Sequence, residues 1–305
     1  MRVFVTGGTG FIGAALCRRL VQDGHDVVIP TRTPPPQTSH PMLRHVPWQT
    51  AAWRELLAHS SAVVNLAGAS IAGQRWNASR KQQLRASRLQ TTRSLIEAIA
   101  AAPTKPAVLV NASAVGYYGP RGDEVLDETA PRGDGFLAQL CQEWEHEAQR
   151  AASFGVRVVR LRIGLVLGPR GGALAAMVPP VRFFLGGPLG RGGQWMSWIH
   201  RDDVIGLIEW ALTHSHVHGA LNATAPNPAT MREFCSTLGR AMRRPSWAPV
   251  PSFVLRALLG EMADMLLTGQ RVVPDTALRL GYTFRFPALS AALDHCLRSW
   301  DTPTV

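Results

Sequence analysis

Apolar runs alternate with helix-period patterns through the first half of the chain. Arg2 to Val5 is a short apolar run, and a pattern with Phe11, Ile12, Ala15, Leu16 and Leu20 on one helical face follows it. Val27-Val28-Ile29 predicts a second strand. Arg32 to Pro41 is a proline-rich loop, and His45-Val46 a short third strand. Ala51 to Ala58 suits a helix. Ala62 to Leu66 is nearly continuous in apolar residues, as expected of a strand covered on both faces. A long polar helix follows from about Ala78 to Ala102 and stops before Pro103. Ala107 to Val110 is the next strand, Phe136 to Ser153 a helix, and Val156 to Leu161 a strand again. This alternation predicts an α/β fold of Rossmann type: a doubly wound parallel sheet, with ligands at the carboxyl ends of its strands.

The pattern changes after Gly168. Gly186 to Gly193 is too rich in glycine for a regular element. Asp202 to Leu212 reads as a helix with Asp202 near its cap, and Ala220-Leu221-Asn222 as an edge strand. Thr230 and Glu233 have the spacing of a capping box. The last part of the chain reads as helical fragments interrupted by prolines. The expected division is a dinucleotide-binding domain over residues 1–165 and a small, mostly helical C-terminal substrate lobe over 166–305. The sheet is free to take further strands from the later residues.

The chain has 305 residues, enough for one large domain with a smaller lobe. Glycines break the N-terminal apolar stretch too early for a signal peptide. No segment approaches the roughly 20 apolar residues of a membrane span, so no membrane partner is expected. The four cysteines, Cys17, Cys141, Cys235 and Cys296, are scattered without a paired spacing, which predicts reduced thiols in a cytoplasmic protein. The formal net charge is +11, and the basic residues are all arginine except Lys81 and Lys105. They are spread along the chain with no basic tail and no recognition module, which argues against nucleic acid. A basic surface also suits an anionic cofactor.

Gly7, Gly10 and Gly13 stand at three-residue spacing between the first strand and the first helix. A diphosphate needs hydrogen-bond donors, and the first turn of a helix offers unpaired N–H groups at the positive end of its dipole. Glycine lets the backbone turn sharply and approach the phosphates. Gly7, Thr9, Gly10, Phe11, Ile12 and Gly13 are therefore candidate dinucleotide contacts. The second strand runs into Thr31-Arg32 with no carboxylate for an adenine ribose hydroxyl. Arg32 can fork onto a 2′-phosphate, so NADP(H) is favoured over NAD(H). Leu66, Ala67 and Gly68 close the fourth strand beside the glycine turn and offer small backbone for the adenosine or diphosphate. Arg88, on the following helix, reaches either a phosphate or ribose, or solvent.

These segments resemble the extended short-chain dehydrogenase/reductases, the group that includes sugar-nucleotide epimerases and dehydratases. The matching stretches are Thr6 to Gly13, Asn65 to Gly68, Asn111-Ala112-Ser113, Arg162 to Gly168, and Trp198 to Val204. Arg75-Trp76-Asn77, Ser113 to Gly119, Trp144-Glu145, Gly186 to Gly190 and Leu221 to Pro228 resemble an atypical, epimerase-like subfamily with a small C-terminal domain. The likeness covers essentially the whole chain. It implies that Ser113 holds a substrate carbonyl or hydroxyl, and that Val166 faces the nicotinamide end. It also implies that Trp76, Lys81, Trp198, His200 and Arg201 flank the cleft; His200 is a general-acid candidate by its ordinary pKa, while the Trp198–Val204 segment in relatives mostly positions the C-terminal lobe, its alternative role. Relatives often form homodimers through the helices that correspond to about 78–102 and 136–153.

One feature of the wider group is missing. Its active members carry Tyr-x-x-x-Lys on the helix after the fifth strand, where the lysine brings a phenol of ordinary pKa about 10 into catalytic range. Here that helix, Phe136 to Glu145, contains neither residue, and the three tyrosines are Tyr117, Tyr118 and Tyr282. Tyr117, or else Tyr118, is the candidate stand-in for the proton donor, with Ser113 orienting the substrate; packing against the nicotinamide pocket is their alternative role. Arg121 is separated from Tyr117 by Gly119-Pro120, which rules against a helical pairing. His214, His216 and His218 alternate, but no carboxylate or cysteine completes a metal shell nearby, so no metal site is expected. Two functions remain open. One is an NADP(H)-dependent oxidoreductase or epimerase-like enzyme acting on a small-molecule carbonyl or hydroxyl compound. The other is a non-catalytic NADP(H)-binding regulatory protein.

Overall fold

The computed structural model describes residues 1–32, 40–298 and 300. The proline-rich loop expected from Arg32 to Pro41 falls mostly on residues 33–39, outside the described residues. The first half runs β1 (Arg2–Thr6), α1 (Gly13–Gln22), β2 (Asp26–Thr31), β3 (Leu43–Pro47), α2 (Ala52–Ala58), β4 (Ala62–Asn65), α3 (Ala78–Ala101), β5 (Val108–Ala114), β6 (Val125–Leu126), α4 (Phe136–Gln149) and β7 (Arg157–Ile163). The second half begins with β8 (Leu165–Gly168), β9 (Gly171–Gly172), α5 (Leu174–Arg182), β10 (Trp195–Met196), β11 (Trp198–His200), α6 (Arg201–Thr213) and β12 (Gly219–Ala223). It ends with β13 (Ala229–Thr230), α7 (Met231–Met242), α8 (Ser252–Leu259), α9 (Met262–Leu267), β14 (Arg271–Val272), α10 (Asp275–Arg279) and α11 (Leu289–Arg298).

Seven parallel strands form the main sheet in the order β12-β7-β5-β4-β1-β2-β3. Strand order reverses at the β1/β4 pair, which opens a crevice beyond their carboxyl ends. Both faces are buried, so adjacent residues serve opposite cores. Val3, Val5, Val27, Ile29, Ala62 and Val64 pack toward α1 and α6, whereas Phe4, Val28 and Val63 pack toward α2 and α3. This is why the strands read as apolar runs rather than as alternating patterns.

The seventh strand, β12, comes from beyond residue 165, and α6 packs on the same core. The main domain thus draws on both halves of the chain. The lobe has a core of its own, built on Leu174, Val178, Trp198, Phe234, Phe286 and Leu293. The capping box on α7 is present, with Thr230 and Glu233 satisfying each other's backbone. Two expected boundaries move. β5 continues to Ala114, so Ser113 lies inside the strand rather than after it. α4 ends at Gln149 and passes into a tighter turn over Arg150–Phe154.

Trp198 and His200 do not flank the cleft as the resemblance implied. Both are fully buried in the lobe. The Trp198 indole donates to the Asn227 carbonyl (3.0 Å). His200 Nδ1 accepts the Asp202 N–H (3.0 Å) and caps α6, while its ring lies against Phe286 at 4.0 Å and its Nε2 meets His295 at 3.1 Å. Burial pushes the His200 pKa down to about 4, so this ring is a structural cap and not a general acid near neutrality. The unfolded chain binds this proton below pH 6.5 and the folded chain does not until about pH 4. Stability therefore falls as pH drops through that window, by about 3 kcal/mol in total. Urea titrations between pH 7 and 4 should show this slope, and His200→Asn, which keeps a capping acceptor, should flatten it.

Candidate functional site

The turn between β1 and α1 is built on close backbone approach. Gly7 has φ +70°, and a Cβ there would stand 2.6 Å from the Leu66 carbonyl oxygen. A Cβ on Gly13 would stand 2.1 Å from the Gly7 oxygen. The turn closes with Gly10 N–H on the Gly7 carbonyl (2.9 Å), and α1 starts with Ala14 N–H on the Gly10 carbonyl (2.8 Å). Thr9 and Gly10 form its exposed tip, Phe11 and Ile12 are half-buried, and no side chain caps the helix. The donors just ahead of Ala14 therefore have no intrahelical partner. A narrow glycine turn with an exposed tip and an uncapped helix end fits a diphosphate.

The Phe11 side chain has a different task. Its ring fills the space over the β8–β9 hairpin: a Cβ on Gly171 would lie 2.4 Å from it, and one on Gly168 or Gly172 would lie 2.8 Å away. Phe11 thus ties the turn to the lobe, and only its backbone faces a ligand. On the other side of the turn, Thr31 is buried at the end of β2, and its carbonyl accepts the Trp48 N–H (2.8 Å). The Arg32 carbonyl accepts from Gln49 (2.9 Å), which pins the backbone while the guanidinium side chain stays exposed at the strand end.

Leu66, Ala67 and Gly68 leave β4 beside this turn, with Leu66 N–H on the Thr6 carbonyl (3.1 Å). Beneath them Asn65 accepts from Thr6 (2.6 Å) and donates to Asn111 (2.6 Å) and Thr92 (2.9 Å). This buried network locks the carboxyl ends of β1, β4 and β5 together. Arg88 is buried behind Gly68 and is not a solvated residue. It donates to the carbonyls of Leu84 (3.0 Å) and Ala69 (3.2 Å) and lies 5.2 Å from the Trp144 ring. Burial lowers its pKa. Arg88 therefore braces the Gly68–Ala69 backbone from inside. Val166 is half-buried in β8 and packs against the main core.

The expected catalytic residues meet a charged cluster that sequence reasoning gave no role. Ser113 is only 3% exposed, and its hydroxyl donates to Glu145 Oε1 (2.7 Å). Arg162 grips the same carboxylate at both oxygens (2.8 and 2.9 Å). Ser113 and Arg162 are register partners on β5 and β7, and α4 lays Glu145 across them. The Arg162 guanidinium also lies 3.6 Å from the centre of the half-buried Tyr117 ring and donates to the Tyr118 hydroxyl (2.9 Å). Burial pulls the Arg162 pKa down, but the Glu145 carboxylate more than offsets this and leaves it above its ordinary range. Tyr118 donates to Asn222 on β12 (2.7 Å), and burial pushes its pKa up to about 12. It is therefore no source of protons near neutrality. Arg121 turns away to Glu124 and the Pro131 carbonyl, so the cation beside Tyr117 is Arg162.

Trp76 meets Phe136 edge-on at 5.5 Å, and Lys81 reaches Glu261 of the lobe (2.5 Å). His214 and His216 pack around Trp210. Among the described residues, the group close enough to share a metal ion is instead His200, Asp202 and His295. The cap and the histidine pair described above already use both nitrogens of His200. All four cysteines are buried and free, and burial raises their thiol pKa values, Cys17 and Cys296 to about 12.

The fold agrees with comparisons to known proteins. The model of the NAD dependent epimerase/dehydratase family matches residues 3–223. This chain belongs to that family. Residues 250–296 match a second model, described as a domain of unknown function. The chain is 45% identical to the chloroplastic SDR39U1 homolog of Arabidopsis thaliana over 301 residues, covering 96% of this chain and 86% of that one. It is 43% identical to the human epimerase family protein SDR39U1, covering 96% and 98%. A crystal structure of the human protein with NADPH superposes with a TM-score of 0.87 at 40% identity, covering 98% of this chain and 99% of that one. No helix among the described residues is long and apolar enough to cross a membrane.

Proposed function

We propose that this chain binds NADP(H) at the glycine turn and exchanges hydride with a carbonyl or hydroxyl small molecule. The substrate would sit at the carboxyl end of β5. The observation that carries the catalytic reading is the Ser113 hydroxyl, fixed there by a carboxylate that Arg162 itself holds at two points. The human relative's crystal structure with NADPH supports the choice of cofactor.

The N–H groups from Phe11 to Gly13 would hold the diphosphate, Arg32 would fork onto the 2′-phosphate, and the backbone of Leu66 to Gly68 would lie against the adenosine. When bound, NADPH supplies the hydride. Ser113 donates its hydrogen bond to Glu145, so its oxygen is left to accept a hydrogen bond from a substrate hydroxyl and to orient it. Tyr117, half-exposed beside the cluster, gives or takes the substrate proton at its phenol oxygen. Four buried thiols support a reducing compartment such as the cytoplasm.

The test is NADPH oxidation across a panel of aldehydes, ketones and keto sugars. A turned-over substrate is expected, with kcat about 100-fold lower in Tyr117→Phe and in Ser113→Ala and unchanged NADPH affinity. No turnover across the panel contradicts the reading. Arg32→Asp should weaken NADPH at least tenfold and bring NADH level with it, since one charge-assisted contact is worth about 1.5–3 kcal/mol. Unchanged NADPH affinity refutes that assignment.

The depth of Ser113 favours a second reading. A hydroxyl that is 3% exposed, with its proton committed to a neutralised carboxylate, equally suits a protein that senses the cofactor without reacting it. That reading predicts tight binding, no turnover, and a protein partner whose affinity differs between NADP+ and NADPH. Equal affinity in both states counts against it.

A further inference from the structure

A cavity of about 420 Å³ lies between α1, α6 and the segment Tyr282–Arg285, apart from the Ser113 cluster. Arg18, Arg19, Arg201 and Arg285 line it, together with Asp202, Asp203 and Glu209. Each acid has a neighbouring cation or N–H group, although Glu209 Oε1 is buried without a hydrogen-bond partner. Asp202 lies 3.5 Å from Arg285, and Glu209 lies 3.5 Å from Arg19, which also holds Asp23 (3.0 Å). Asp203 accepts the N–H groups of Arg285 (2.7 Å) and Phe286 (3.0 Å).

Two guanidiniums remain. Arg18 is exposed and has one long contact, to the Ala14 carbonyl (3.4 Å). Arg201 is half-buried, and its Nε is shut off from solvent with no hydrogen-bond partner. Its guanidinium lies 5.1 Å from the centre of the Phe11 ring. Burying a guanidinium nitrogen without a partner costs free energy that the fold does not recover internally. Burial lowers the Arg201 pKa, and the nearby Asp202 carboxylate offsets this only in part.

We propose that this cavity is a second anion site, in which Arg18 and Arg201 bind a phosphate group, free or as the monoester of a small molecule. A dianionic oxygen cluster supplies the acceptor that Arg201 Nε lacks, and Arg18 closes over it from α1. The site does not depend on the dinucleotide reading, because neither arginine lies in the glycine turn.

Calorimetry with inorganic phosphate and with glycerol 3-phosphate, against chloride at equal ionic strength, tests it. Saturable heat is expected in the wild type. Affinity should fall at least tenfold in Arg18→Ala and in Arg201→Met, and should be unchanged in Arg32→Asp. Tighter binding of the ester points to a phosphorylated metabolite, and tighter binding of inorganic phosphate to the free ion. No heat overturns the proposal. So does heat unchanged by Arg18→Ala, which would place the phosphate in the glycine turn. Arg18 is exposed, so its substitution leaves the fold intact even if Arg201→Met does not.

Discussion

Glu145→Ala is expected to destabilise the fold by about 3–5 kcal/mol, the usual cost of stripping one partner from a buried ion pair. Arg162 is almost fully buried, and two of its nitrogens lose their acceptors with the carboxylate. Ser113 loses its acceptor as well. That is a large share of a net stability of about 5–15 kcal/mol. Urea denaturation measures it directly. The double variant Glu145→Ala, Arg162→Met should recover part of the loss, since it removes the stranded charge as well as the contact. A loss below about 1 kcal/mol would mean that Arg162 finds water or another acceptor, and that the cluster is not the rigid floor of the site.

Gly13→Ala is expected to weaken NADPH about 1000-fold while far-ultraviolet circular dichroism shows the sheet and helices in place, because losing two charge-assisted hydrogen bonds costs about 3–6 kcal/mol. The added Cβ would stand 2.1 Å from the Gly7 oxygen, so either the turn opens or α1 draws back. Either motion carries the N–H groups of Ile12 and Gly13 away from the diphosphate. Gly24 makes a clean comparison, since a Cβ there meets nothing within 4 Å. Its φ of +78° still strains an alanine, so Gly24→Ala should lower stability modestly and leave NADPH affinity alone. Equal affinity in wild type and Gly13→Ala would remove the turn from the binding site.

What was legible in the chain was what local pattern encodes. Glycine spacing, apolar runs and the Thr230–Glu233 box are short-range signals, and the structure bears each of them out. The Ser113–Glu145–Arg162 cluster was not legible. Its members come from β5, α4 and β7, and only the strand register and the helix crossing bring them together. A clue was available: an acidic residue on the inner face of α4, one turn past Cys141, needs a cation, and β7 beneath it carries three arginines, Arg157, Arg160 and Arg162. His200 carried two readings, proton donor or positioning of the lobe. Its ordinary pKa suggests proton chemistry, but burial and the α6 cap make it structural. Arg88 read as either a phosphate or ribose contact or a surface residue, because helix period alone does not reveal that its face meets the backbone of Gly68 and Ala69.

The most direct measurement is titration calorimetry of the purified chain with NADPH and with NADH. Saturable heat with NADPH at one site per chain, and binding of NADH at least tenfold weaker, is the expected result. Absence of heat with either dinucleotide contradicts it.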